Sequence, residues 1–299
     1  MGPIAELGQE MLRGLVADGD WNKGTSLVVE MGQGRRTDPC GLGVQWVSVS
    51  PSVKCCCEPV SIGGLTLLKG RVSTQEVFAL ANLDLVPGKY EGGLKLWEGS
   101  QDLITALSSE MLDGQLSFTG KRVLELGCGH GLPGIFACLK GAASVHFQDF
   151  NAEVLQYLTI PNVIANIEKN DQCLATDDNC ETRIFSGDWG EVDHLLSCVF
   201  SNENEVQLDQ TAGYDVILMA ETVYSISALP NLYKLIKKCL RNPHGIVYMA
   251  AKKYYFGVGG GSRRFLSIVE KDGALASSLV AEVTDGSSNV REVWKLHLK

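Results

Sequence analysis

No stretch of this 299-residue chain approaches the roughly 20 consecutive apolar residues that a membrane helix needs. That sets aside a helical membrane protein. Positive charge is also in short supply: 26 Lys and Arg stand against 35 Asp and Glu, a net charge of −9. A general nucleic-acid binder carries the opposite field, so the balance suits a protein that meets a basic partner or a small molecule. The opening "MGPIAELGQEMLRG" has neither the basic region nor the apolar core of a secretory signal. Pro3 and Glu6 break the myristoylation pattern. A soluble intracellular protein is the expectation. Ten cysteines are present but no CxxC pair, so the ligand spacing of a structural zinc site is missing. Reduced thiols and no metal are expected, the contiguous Cys55, Cys56 and Cys57 included.

What is there divides at about residue 82. Residues 1–82 have weak periodicity and frequent Gly and Pro, as in "GQGRRTDPCGLG" and "PSVKCCCEPVSIGG". They read as a variable, partly disordered extension with one strand at "GVQWVSVS". From residue 83 to 299 the pattern sharpens. Leu103, Ile104, Leu107 and Met111 share a helical face, with Ser100 placed to cap it. "KRVLEL", "SVHFQD", "TRIFSGDW", "YDVILMAETVY" and "HGIVYMAAKKYY" read as five strands. Pro133 opens and Gly141 closes a helix between the first two, and Asn151 caps the next. A helix from Ser262 and two late strands, "SLVAEVT" and "REVWKLHL", finish the chain. Alternating strands and helices predict an α/β fold: a doubly wound, mostly parallel seven-strand sheet with one antiparallel member at its edge. The polar stretches "EKNDQCLATDDNCE" and "SNENEVQLDQTAG" read as surface insertions.

The chemistry gathers at strand ends. Gly127, Cys128, Gly129, His130 and Gly131 form a glycine loop after the first strand, and Asp149 closes the second, 22 residues beyond Gly127. A carboxylate there suits ribose hydroxyls, and NAD, FAD and S-adenosylmethionine all fit this much. Three further features separate them. Glu125 precedes the loop, where it can serve the ammonium of a zwitterionic, phosphate-free cofactor; a dinucleotide wants helix N–H groups for its pyrophosphate. "GDW" ends the third strand, with Asp188 able to accept from adenine N6 and Trp189 to stack on the ring. "AETVY" ends the fourth, placing Glu221 and Tyr224 where substrate and methyl group would meet. Together they predict a methyltransferase. The five histidines, His130, His146, His194, His244 and His297, read as structural rather than catalytic, His130 being the one that lies in the cofactor loop.

The sequence also resembles the histidine protein methyltransferase family of seven-strand methyltransferases. The resemblance covers roughly residues 83–299 and rests on "LVPGKYEGGLKLWEGSQDL", "VLELGCGHGLPGI", "VHFQDFN", "LTIPNVIANI", "GDW", "AETVY" and "AAKKYYFGVGGGSRRF". It implies methylation of a tele nitrogen of histidine in a large-subunit ribosomal protein, with rRNA nearby, a monomeric enzyme and a cytoplasmic and nuclear location. The cofactor contacts it implies are Leu96, Trp97, Glu98, Gly99, Ser100, Gly127, Cys128, Gly129, Gln148, Asp149, Phe150, Gly187, Asp188, Trp189 and Ala220. Phe150 keeps the ring of the family's tyrosine without its hydroxyl. Glu221 would accept the second ring N–H of the target histidine and so set its tautomer. In "KKYYFGVGGGSRRF", Tyr254, Tyr255 and Phe256 would wall the substrate ring, while Lys252, Lys253, Arg263 and Arg264 would meet rRNA phosphate or acidic protein. The alternatives are a protein lysine methyltransferase of the same fold, a weakly active cofactor-binding assembly factor and, third, a hydride-transferring dehydrogenase.

Overall fold

The computed structural model describes residues 27–31, 45–48, 57–80, 83–167, 180–198, 213–284, 286 and 289–299. In chain order the strands are β1 (Leu27–Met31), β2 (Gln45–Ser48), β3 (Glu58–Ile62), β4 (Leu65–Lys69), β5 (Arg122–Leu126), β6 (Ser144–Asp149), β7 (Glu181–Ser186), β8 (Val216–Ala220), β9 (Ile246–Lys252), β10 (Leu275–Val283) and β11 (Arg291–Leu298). The helices are α1 (Thr74–Phe78), α2 (Glu98–Leu112), α3 (Leu132–Leu139), α4, α5 (Asp193–Cys198), α6 (Leu229–Cys239) and α7 (Ser262–Asp272). The helix α4 is composite: Ala152–Val154 runs through a π turn, Leu155–Thr159, into Ile160–Ile167.

One sheet has the order β10-β11-β9-β8-β5-β6-β7-β1-β2. Its seven-strand body is doubly wound as expected. β5 pairs in parallel with both β6 and β8, so the winding direction reverses between β5 and β8. The antiparallel member β11 lies between β9 and the edge strand β10. At the far side β1 extends the sheet by antiparallel pairing with β7, and β2, the strand expected at "GVQWVSVS", pairs in parallel with β1. Successive β5 residues face opposite layers. Val123 packs with α2, α3 and α4, and Leu124 with α5, α6 and α7. That two-sided burial is why the strands read as apolar runs rather than alternating ones.

A hairpin from the segment before residue 82 packs against the sheet domain. Ile62 and Leu67 of the β3–β4 hairpin are buried in the same core as α2 and α3. Two asparagines of "LTIPNVIANI" bolt the hairpin down. Asn162 Oδ1 accepts from Gly70 N at 2.6 Å, and Asn166 bonds both Leu68 N and Leu68 O at 2.7 Å. The Nδ2 group of Asn162 also donates to the His130 carbonyl at 2.9 Å, linking hairpin and glycine loop. Asn162→Ala strands buried groups on both sides and should cost about 1–3 kcal/mol, measurable by denaturant unfolding. The disorder expected for the first residues, "EKNDQCLATDDNCE" up to residue 179 and "SNENEVQLDQTAG" up to residue 212 fall outside the described residues, as do Cys55 and Cys56.

Helix α2 starts two residues before the expected cap: Trp97 is its N-cap and Ser100 lies in its first turn. It is tied to the sheet near its start by Arg291–Asp102 at 2.5 Å and near its end by Lys295–Glu110 at 2.8 Å. The start of α2 is thereby held against the C-terminal ends of the parallel strands.

Candidate active site

The carboxyl ends of β5, β6, β7 and β8 open on a cavity of about 410 Å³, at the reversal of winding where α/β sheets bind ligands. Its wall contains Leu96, Trp97, Ser100, Gly127, Cys128, Gly129, His130, Asp149, Phe150, Gly187, Asp188, Trp189, Ala220, Glu221 and Tyr224. Most of the residues named from the sequence are therefore brought together.

Four N–H groups of the glycine loop are taken by protein acceptors. Gly127 N donates to Gln148 Oε1 at 3.3 Å, Cys128 N to Gln148 O at 2.8 Å, Gly129 N to Asp149 Oδ2 at 2.9 Å and Gly131 N to Cys128 O at 2.8 Å. The N–H of Gly134, in the first turn of α3, donates to the buried carboxyl of Glu125 at 2.8 Å. A pyrophosphate needs those donors free and no acid beneath them. The loop is shaped for a ligand without phosphate, which removes the dehydrogenase reading.

That arrangement corrects the role given to Glu125. Its side chain lies under α3, outside the cavity, and burial pushes its carboxyl well above the usual range. A side chain at Gly134 would meet Glu125 Oε2 at 2.7 Å and the Phe147 ring, so the helix start can approach the sheet only with glycine. Glu125→Gln should leave cofactor affinity within about threefold, since a neutral acid and an amide both accept from Gly134; titration with S-adenosylhomocysteine reads this directly. Gln148 is likewise a brace. Its Oε1 takes the Trp189 indole N–H at 2.9 Å and its Nε2 donates to Gly187 O at 2.8 Å, aligning two loops from beneath. Glu98 is exposed outside the cavity and Gly99 lies behind it.

Asp149 is buried at the cavity wall with Oδ1 taking Asn151 N at 3.0 Å. Burial raises its pKa to about 6 against those backbone bonds. Asp188 is partly turned inward on itself, accepting Gly190 N at 2.7 Å.

Glu221 follows β8 with φ of 58°, a left-handed conformation for a residue with a side chain. It is buried, and burial raises its pKa against the bond donated by the Tyr255 hydroxyl to Oε2. Its Oε1 is buried without a partner, as is the adjacent Thr222 hydroxyl. A Cβ at residue 99 would stand 2.7 Å from Glu221 Oε1, so Gly99 is the gap that admits this carboxylate. An orphaned carboxylate oxygen in a cavity wall, on strained backbone, is a mark of function rather than of packing.

Tyr224, expected beside Glu221 in the reaction, lines the cavity and is engaged by a second partner. Its hydroxyl donates to Glu91 Oε2, and burial with the Glu91 carboxylate beside it drives its pKa up. Glu91 in turn takes Gly88 N at 2.7 Å, and its own N–H is held by Asn151. Tyr224 is the latch for a strap, residues 85–93, that closes one side of the cavity. The strap residues Leu85, Pro87, Glu91 and Gly93, together with Ser225, Asn231 and Val258, are wall residues that sequence reasoning missed. The signal for the strap lies in "LVPGKYEGGLKLWEGS", of which the resemblance implies only residues 96–100 as contacts. His130 does reach the wall. Its Nε2 bonds Leu94 O at 3.1 Å, and burial lowers its pKa to about 4, so it is a neutral ring with Nδ1 unpaired. Among the described residues no group of three His, Cys, Asp or Glu converges as a metal site.

Residues 87–272 match the model of a protein family described as lysine methyltransferase. The chain belongs to that family. It is 44% identical over 217 residues to the histidine protein methyltransferase 1 homolog of Dictyostelium discoideum, covering 73% of this chain and 61% of the relative. It is 36% identical to the protein of the same name from Rattus norvegicus, covering 68% and 56%. The EEF1A lysine methyltransferase 3 of Mus musculus is 28% identical over 158 residues, 53% of this chain and 55% of the other. The chain thus spans about six-tenths of the length of the histidine methyltransferase relatives. For this family's methyl donor, S-adenosylmethionine, the residues fit. Asp149, Asp188 and Trp189 all line the cavity, where they would hold its ribose and adenine, and the loop's donors are taken in a way that suits a cofactor without phosphate.

Proposed function

We propose that the protein transfers a methyl group from S-adenosylmethionine to the tele nitrogen of a histidine in a protein substrate. The observation that carries this is Glu221, a cavity-lining carboxylate that keeps one buried oxygen, Oε1, without a partner. The cofactor supplies a methyl group already activated on a sulfonium. The protein has only to present a neutral nucleophile in line, with little acid or base chemistry. An imidazole is mostly neutral near pH 7, its ordinary pKa being about 6.5. Glu221 Oε1 accepts the pros N–H of the target ring, which leaves the lone pair on the tele nitrogen and stabilises the imidazolium that forms. Tyr255 holds the other carboxylate oxygen, so the acceptor cannot swing away. Higher identity to relatives named for histidine than to one named for lysine supports the same reading.

A large-subunit ribosomal protein as substrate, with rRNA nearby, and a cytoplasmic and nuclear site of action belong to this proposal through the resemblance alone. The net charge of −9 suits a basic protein partner. The test is transfer of labelled methyl to extract proteins lacking the modification, followed by hydrolysis and amino-acid analysis. Label in tele-methylhistidine is the expected result. Label in methyl-lysine would move the activity to the family's lysine-directed members, and no label with cofactor bound would favour the assembly-factor reading.

A further inference from the structure

The composite helix α4 leaves its α-helical register where it meets the cofactor loop. Pro161 has no N–H to close an α turn on the Tyr157 carbonyl, and the chain widens into the π turn Leu155–Thr159 just before it. Single π turns inside α-helices recur at functional sites. The last residue of this one, Thr159, is fully buried, and both branches of its side chain reach the glycine loop. Its hydroxyl donates to Gly129 O at 2.6 Å and lies 3.7 Å from the Cys128 sulfur. Burial, with the Asp149 and Glu125 carboxyls nearby, pushes the Cys128 thiol well above its usual range, so it stays a neutral S–H and donates to that hydroxyl. On the other branch, the Thr159 methyl would stand 3.1 Å from a Cβ at residue 131, a space that Gly131 leaves open. Almost one turn further along α4, Asn162 Nδ2 takes His130 O at 2.9 Å.

The loop is thus held from two sides. The N–H groups of Gly127 and Gly129 go to Gln148 and Asp149 at the end of β6, while the carbonyls of Gly129 and His130 go to α4. Gly127, Cys128, Gly129 and His130 line the cavity, so the setting of these peptides shapes the surface the cofactor meets. Gly129 has a φ of 51°, and a peptide next to glycine turns over at little steric cost. Its carbonyl therefore needs a fixed donor to keep one orientation.

We infer that Thr159 is a positioning residue for S-adenosylmethionine: its hydroxyl holds the Gly129–His130 peptide in the orientation that accepts the cofactor. Thr159 is not itself part of the cavity wall, so it acts through the loop. Without the hydroxyl the loop samples other orientations, and apparent affinity falls with the fraction of molecules still competent to bind; one molecule in ten competent means binding about tenfold weaker.

The test is calorimetric titration of the full chain with S-adenosylhomocysteine, well below the unfolding temperature, beside denaturant unfolding of each variant. Thr159→Val keeps the shape and loses the hydroxyl; Thr159→Ser keeps the hydroxyl and loses the methyl. The valine variant should bind about tenfold more weakly, and the serine variant within about threefold of wild type. Asn166→Ala controls for lost stability alone, because Asn166 ties down Leu68 of the hairpin; it should unfold at lower denaturant yet bind within about threefold of wild type. A loss below about fivefold for valine would overturn the assignment. So would a serine variant as weak as valine, or an Asn166→Ala variant that loses as much affinity as valine does. Should the valine variant fail to fold, Thr159→Ala takes its place on the same thresholds. No methyl acceptor enters the assay, so its outcome is independent of the histidine reading.

Discussion

Glu221→Gln is expected to lower kcat by about 10²–10³-fold, the usual loss when one group aimed at developing charge is removed. Cofactor affinity should stay within about threefold, because Glu221 has no part in holding the ribose or adenine. The amide keeps the size of the side chain and can still take the Tyr255 hydroxyl bond, but it carries no charge to balance an imidazolium. Stability should move the other way. Burial raises the Glu221 pKa in the folded protein, so the folded state binds the proton more tightly than the unfolded one. Stability therefore falls as pH rises from the ordinary carboxylate range through the raised value, and the substitution abolishes that slope. A variant that is more stable at neutral pH yet nearly inactive identifies a functional carboxylate; one that is less stable and binds cofactor poorly would identify a structural one. In the wild type, kcat/KM should climb with pH as the target imidazole and Glu221 both lose their protons. The glutamine variant should retain only the imidazole's limb of that profile.

Asp149→Ala should weaken S-adenosylhomocysteine binding by about 100-fold or more, the worth of two charge-assisted hydrogen bonds at about 1.5–3 kcal/mol each. The loss has two sources. The ribose hydroxyls lose their acceptor, and Gly129 N and Asn151 N lose the oxygens that set the loop. The pH dependence of binding to the wild type shows whether the Asp149 carboxylate itself meets the ribose. Its pKa in the free protein is raised to about 6 by burial, and hydroxyl donors favour the ionised form. Affinity should therefore be full above about pH 6 and decline below it, with protons released on binding in that lower range. Calorimetry in buffers of different ionisation enthalpy measures the proton count. A pH-independent affinity between about 5 and 7 would remove Asp149 from the ribose site.

Much of this molecule was legible without coordinates, and the reason is periodicity. "SVHFQD" is β6 residue for residue, because Val145 and Phe147 recur at the strand period of two just after the helix-closing Gly141. Pro133 at the start of α3 and Gly141 just beyond its end punctuate the helix by backbone chemistry that acts locally. The strand ends followed from the same pattern, and with them the clustering of Asp149, Asp188 and Glu221. Less visible was "LPNLYKLIKKC", which forms the amphipathic α6, and the β3–β4 hairpin. Its strands are short, and it is held by asparagines more than 90 residues further along the chain.

Sequence order by itself determined the fold class and which strand ends carry acids, since each depends on residues near one another in the chain. Only the tertiary structure decided what those residues do. Glu125 and Glu221 are both strand-end glutamates, and nothing local distinguishes them. One is turned beneath α3 to take Gly134 N, while the other is admitted to the cavity by the missing side chain of Gly99, on a different element. Tyr224 became a latch because Glu91, 133 residues earlier, meets its hydroxyl. Hydrogen bonds and close contacts assign roles to side chains, and in a doubly wound sheet the partners come from distant parts of the chain.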